Sequence, residues 1–360
     1  MDSAANITVF TSGDLRACTN DFHQNNLIGF TQFGKLYRGR IRQGFTGTDQ
    51  VRDVTVKVWD EKSAGCSKLM HDEFLVVKVS CKSLSLLGFG GFTQLMIWLL
   101  LQEEVEFLTH PTLNGYPNLV KLIGYCCEKE VKGVVYDLNP WDTLQNLTVK
   151  DYLNWVQRVN LLVQLAGLLE FLHNKEKPYL VLNMNASHII LDRDCKPKLF
   201  DFGLISGGII GDMSPTPKKQ IPTSIGFVDP FFAAKGGRYW HTSCDVYSFG
   251  VILLGLIAKR GFGLESVEEP QLGLDNLVQY WAKKEYKPNC SLVHRGLQED
   301  WSYVVEDGTA ITELGMRCVE FFPTNRPTMK NVVESLEGLM LLQRFGDARP
   351  NKREKTFHGM

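Results

Sequence analysis

Apolar and polar positions alternate through VTVK, predicting a strand that ends on Lys57, and KGVVYDLNPWDTLQNL predicts a strand entering a hinge near Tyr136 to Asn139. Further along, the period lengthens. In DYLNWVQRVNLLVQLAGLLEFLH, the residues Leu162, Leu165, Ala166, Leu169 and Leu172 share one face at helical spacing. That stripe predicts a core helix and carries fold, not chemistry. A strand-turn-strand follows it, LVLNMNASHIILDRDCKPKLFDFGL. Upstream, FTSGDLRACTNDFHQNNLIGFTQFGKLYRGRI predicts a short polar helix, then a strand broken by a loop.

Composition bounds what these elements can build. With 360 residues, 44% of them hydrophobic and 22% charged, the chain has the make-up of a soluble globular protein of one two-lobed domain or two small ones. A formal net charge of −1 gives no electrostatic footprint for nucleic acid. The nine cysteines lie scattered, with no paired C-x-x-C spacing, which suits reduced thiols in a cytosolic setting. The start, MDSAANITVF, has no basic region before an apolar core, so no secretory signal is expected, and Asp2 excludes N-myristoylation.

The motifs VKLIGYC, DVYSFGV and RPTM, in order and at domain-scale spacing, resemble plant receptor-like kinases, and the receptor-like cytoplasmic branch in particular. The likeness runs from about Phe10 to Leu342, excluding the block Val79 to Gln102, and Leu15, Thr19 and Phe22 keep the register of that family's entry segment. It implies an α+β, two-lobed protein kinase fold with a small β-rich N-lobe and a larger α-helical C-lobe. The expected divisions are an N-terminal extension over 1–22, the N-lobe over 23–137, the C-lobe over 138–342 and a basic tail over 343–360. By the same resemblance, nucleotide binding falls to Ile28, Gly29, Gly34, Leu36, Lys57, Tyr136 and Leu138. Lys57 would bridge the α- and β-phosphates, Glu104 would pair with it ahead of Glu103 and Glu106, and Asp201 of the Asp201-Phe202-Gly203 motif would hold magnesium. The glycine loop keeps two glycines of three, since Thr31 stands at the middle one.

The catalytic loop departs from the family. Laid over H-R-D-L-K-x-x-N, the loop places Val181, Leu182 and Asn183 at the first three positions, Asn185 at the lysine and His188 at the metal-binding asparagine. A general base is worth about 10²–10⁴ in rate, and uncharged Asn183 cannot serve as one. Asn185 brings no charge to the transferred phosphoryl, and His188 suits transition metals better than magnesium, which prefers oxygen ligands. The segment before the next helix ends Asp229-Pro230-Phe231 where the family has D-P-E, leaving Arg326 without its usual glutamate. Solvent, a carbonyl or another acid is expected to take Arg326 up. Asp245 sits where the family braces the catalytic loop's backbone.

Between Lys57 and Glu104 lie 46 residues, roughly twice what the crossover needs, and the excess is the block VSCKSLSLLGFGGFTQLMIWLLLQ, residues 79–102. A membrane span needs about 20 apolar residues. Ser83 to Leu101 is 19 with three glycines, and spanning there would split the N-lobe, so no firm membrane span is expected. A partly buried apolar insert is the second reading. The favoured third reading is a retained intron: Lys78-Val79-Ser80 is what AAG/GTAAGT encodes, Leu101-Gln102 what TTGCAG encodes, and 24 residues keep the frame. Removing the block leaves 22 residues between Lys57 and Glu104.

Two functions follow from the resemblance. The first is a pseudokinase acting as adaptor, scaffold or decoy, with ATP and weakened magnesium as its cofactors. Its partners would be active receptor-like kinases or immune receptors, in the cytoplasm or at the plasma membrane through those partners. The second is an atypical, low-activity Ser/Thr kinase.

Overall fold

The computed structural model describes residues 7–345 apart from 32, 43–50, 61–88, 114, 183, 211–225, 235–240 and 263–276. Six strands form the N-lobe sheet in the order β1-β5-β6-β4-β3-β2: β1 (Thr8–Val9), β2 (Leu27–Thr31), β3 (Gly34–Arg42), β4 (Val51–Trp59), β5 (Leu122–Cys127) and β6 (Lys132–Tyr136). Only the β1–β5 pair is parallel. Residues 7–22 pack on this sheet. Their strand β1 covers the β5 edge, and helix α1 (Ser12–Thr19) seats Leu15 in a cluster with Val54, Val56 and Val135. A reciprocal capping box starts α1, with Thr11 and Asp14 each satisfying the other's backbone N–H.

Helix α2 (Phe89–Thr109) packs on β5 and β6 and carries Glu104. Its first two-thirds come from the 79–102 block, so the helix bearing Glu104 is long and begins inside the block. Residues 79–88 of the block lie outside the described residues. From the block, Ile97, Leu100 and Leu101 are buried in the main core, while Trp98 points out. Among the described residues no helix is long and apolar enough to cross a membrane.

The C-lobe is built on α3 (Trp155–His173) and α4 (Ser243–Ala258). The expected stripe of α3 is buried along its whole length, and every residue of α4 is buried. Two later helices, α5 (Val305–Cys318) and α6 (Met329–Glu337), pack on α4 and α3 respectively. A small sheet of β7 (Pro140–Thr143), β9 (Ile189–Asp192) and β10 (Pro197–Leu199), with the pair β8 (Tyr179–Leu180) and β11 (Ser206–Gly207), sits beneath the N-lobe and presents the catalytic loop. One apolar cluster runs from Ile28 and Leu36 in the N-lobe to Leu336 in the C-lobe. The seven described cysteines are all unpaired.

Candidate functional site

Alternation along β4 points Thr55, Lys57 and Trp59 to one face, toward α2 and the other lobe. Lys57 Nζ lies 2.5 Å from Glu104 Oε2 and also donates to Asp201 Oδ1, with all three side chains buried. Of the other two candidate glutamates on α2, Glu106 is exposed and Glu103 half-buried. Glu104 Oε1 accepts from the Tyr136 hydroxyl at 2.5 Å and from the Asp201 backbone N–H at 3.1 Å. Burial opposes the Lys57 ammonium, but Asp201 and then Glu104 outweigh it and hold its pKa above the ordinary lysine value. Burial likewise opposes the Asp201 carboxylate, and Lys57 and His188 reverse this to hold it below the usual range. The Tyr136 phenol is pushed well above its ordinary value, first by burial and then by Glu104.

Asp201 has φ of 67°, a left-handed conformation uncommon for a residue with a side chain. Leu182, at φ 59°, is held the same way, and the cause is visible. Asp245 accepts the backbone N–H groups of Val181 at 2.9 Å and Leu182 at 2.8 Å, and His173 Nε2 lies 3.0 Å from the same carboxylate. The loop thus keeps its shape through Asp245, as its position suggested. Asn183 lies outside the described residues.

The metal-binding pair has changed character. His188 is buried with Nε2 3.0 Å from Asp201 Oδ2, an oxygen on which no donor is aligned for a hydrogen bond. Asn185 turns its amide nitrogen toward the His188 ring, at 3.2 and 3.3 Å, while its oxygen caps Ser187. Asp201 Oδ2 alone suits a magnesium ion. The ring nitrogen facing it does not, because magnesium requires a near-octahedral oxygen set. The donor set present does not fit that metal.

The nucleotide positions are sealed against one another. None of Ile28, Leu36, Lys57 and Leu138 exposes more than 7% of its surface. Strand β2 packs onto the turn Ala186–His188 across the cleft, and Asn146 Nδ2 ties it down by donating to the Ile28 carbonyl at 3.1 Å. Gly29 lies over Thr143, whose Cγ2 is 3.4 Å from where a Cβ would stand. Gly34 is needed for closeness within its own sheet, since a Cβ there would meet the Val58 carbonyl at 2.0 Å. Three further buried residues in β4 and the β2–β3 turn stand out, none of them singled out from the sequence, and two of them lie against the nucleotide positions. Phe33, in the β2–β3 turn, is wholly buried, and Trp59 lays its ring 4.0 Å from Lys57 Nζ. Thr55 replaces the alanine of the V-A-I-K pattern and donates its hydroxyl to the Leu138 carbonyl at 3.0 Å. Leu138 N–H donates to the Tyr136 carbonyl at 2.9 Å, so both backbone groups of this hinge residue are taken internally.

Arg326 has found its acid. It forks onto Asp229, at 2.5 Å and 2.8 Å, and donates to the carbonyls of Ser243, Glu320 and Phe321. Phe231, freed of that role, packs against Phe321 and Phe322.

Residues 99–336 match the family model described as protein tyrosine and serine/threonine kinase. The chain belongs to the protein kinase family. Within that family, its similarity is to plant receptor-like cytoplasmic Ser/Thr kinases. It is 30% identical over 339 residues to the probable serine/threonine-protein kinase PBL15 of Arabidopsis thaliana, covering 93% of this chain and 70% of that protein. It is also 30% identical to the serine/threonine-protein kinase BIK1 of the same plant, over 94% of this chain and 77% of that one. An EPD1-interacting receptor-like cytoplasmic serine/threonine-protein kinase of Nicotiana benthamiana is 31% identical, over 92% and 64%. Among solved structures, an apo pseudokinase shares the fold, with a TM-score of 0.55 at 16% identity and 94% and 95% of the two chains covered. Kinases of this kind generally use ATP and magnesium.

Proposed function

We propose that this kinase-family chain is a pseudokinase, a signalling adaptor that uses the kinase fold as a protein-binding surface and transfers no phosphate. The observation that carries this reading is the imidazole of His188 set against Asp201 Oδ2, in the place from which the metal's second oxygen ligand would come. The absence of a carboxylate at Asn183 supports it, as do Trp59 and Thr55, set against Lys57 and the hinge carbonyl of Leu138. The partners proposed are active receptor-like kinases or immune receptors, met in the cytoplasm or at the plasma membrane through them.

The intact Lys57–Glu104 pair at 2.5 Å favours a second reading, a slow Ser/Thr kinase. Phosphoryl transfer and a thermal-shift titration with ATP, with and without magnesium, separate the two when an active plant kinase domain runs alongside. The pseudokinase reading expects no transfer and no shift. Transfer that Lys57→Ala abolishes would establish the slow kinase instead.

A further inference from the structure

Beside the hinge residue Asn139 lies a cavity of about 490 Å³ to which both lobes contribute. Arg38 and Arg40 reach it from β3, Asn26 from the segment after α1, Asn139 from the hinge, and Arg193 from the β9–β10 turn. Three guanidinium groups thus meet one lining carboxylate, Asp53, which lies 3.1 Å from Arg40 Nε and serves that arginine. Arg38 is fixed rather than swinging: it donates to the carbonyls of Pro140 and Trp141, both at 2.5 Å, which leaves three of its five N–H groups to spare. The acid whose field reaches Arg38 is Asp142, and its Oδ1 already accepts from Thr143 N–H and the Asn146 amide. Arg193 is exposed and, among the described residues, makes no ion pair or hydrogen bond.

Two like charges lining one cavity, with Asp53 committed to Arg40, repel. A bound oxyanion turns that repulsion into attraction, and planar guanidinium forks match a phosphate's oxygens. Burial and the field of Arg193 both lower the Arg38 pKa, the sign expected of a cation lacking its counter-ion. The space exceeds a lone phosphate and leaves room for the group that carries it. We infer that this cavity binds a phosphate monoester between Arg38 and Arg193, with the Asn26 and Asn139 amides at its rim. The inference does not depend on whether the cleft is catalytic.

Calorimetric titration of the full chain in 0.15 M sodium chloride tests it, using blocked phosphoserine, blocked serine and inorganic phosphate as probes. Saturable binding of phosphoserine but not serine is expected, weakened about tenfold or more by Arg193→Gln, since one charge-assisted contact is worth at least that factor. Inorganic phosphate binding as tightly as phosphoserine would make a free anion the ligand and keep the site; weaker binding would favour a phosphorylated side chain. Arg38→Gln should act likewise, while Arg193, which supports nothing else, keeps the test valid if that variant does not fold. No saturable binding of either anion overturns the inference. So does undiminished binding in Arg193→Gln, or binding lost in Lys57→Met yet kept in Arg193→Gln, which would place the anion in the cleft.

Discussion

Lys57 joins the charges of both lobes, and its neighbours set how stability depends on pH. A lysine pKa held above the ordinary 10.5 contributes stability fully present below that value and lost as pH rises through the higher folded one. Asp201, held below 3.8, contributes above that value and loses its share as pH falls through the folded one. Both contributions are therefore complete across the neutral range. Lys57→Met should lower stability by about 3–5 kcal/mol at pH 7 in urea denaturation, because it leaves two buried carboxylates unpaired. The deficit should shrink near pH 4, where Asp201, no longer held down by Lys57, takes up a proton; an equal loss at both pH values would mean that packing alone is responsible. Arg326 makes a parallel case. Asp229→Ala should cost a similar about 3–5 kcal/mol, and adding Phe231→Glu should recover part of it by restoring the family's pairing. No recovery in the double variant would show that Phe231 is committed to Phe321 and Phe322.

Helix α2 decides what the 79–102 block is worth. We propose that the block is a retained intron and that the kinase fold does without it. In a chain lacking it, counting back from Glu104 puts Val76 and Val77 where Leu100 and Leu101 now stand, so the two buried positions nearest the glutamate stay apolar. The shortened protein should melt cooperatively, at a temperature no lower than the full chain's. A non-cooperative or markedly lower transition would mean that Ile97 and the first turns of α2 belong to the fold. At this scale the sequence was informative where order along the chain sets position. The α3 stripe, the strand carrying Lys57 and the brace at Asp245 all follow from period or register, although that strand runs two residues past Lys57, to Trp59, where it pairs with Gly34. The departures came from contacts between distant segments. Thr55 could have been read from VTVK, since a hydroxyl at the alanine position must find an acceptor once buried. The burial of Phe33 could not: no local pattern encodes which way a turn residue points. The His188 contact with Asp201 is of the same kind, because it needs the Asn185 amide, the β9–β10 hairpin and the closed cleft together.

The whole molecule behaves as two lobes sharing one apolar core, with β2 resting on the catalytic loop rather than arching over a ligand. The fold class was legible through resemblance, because VKLIGYC, DVYSFGV and RPTM stand in the order and spacing of the kinase family. Whether the cleft is open was not legible, since every residue at its mouth is compatible with either state until the side chains are packed. That closure also bears on how such a protein is found in a cell. Surveys that capture kinases on beads carrying adenine-mimetic inhibitors rely on a hinge offering backbone groups to the drug. Here the Leu138 carbonyl is held by Thr55 and its N–H by Tyr136. At this residue neither backbone group is left for the drug, so retention on such a column should fall to the neighbouring hinge positions alone and be correspondingly weak.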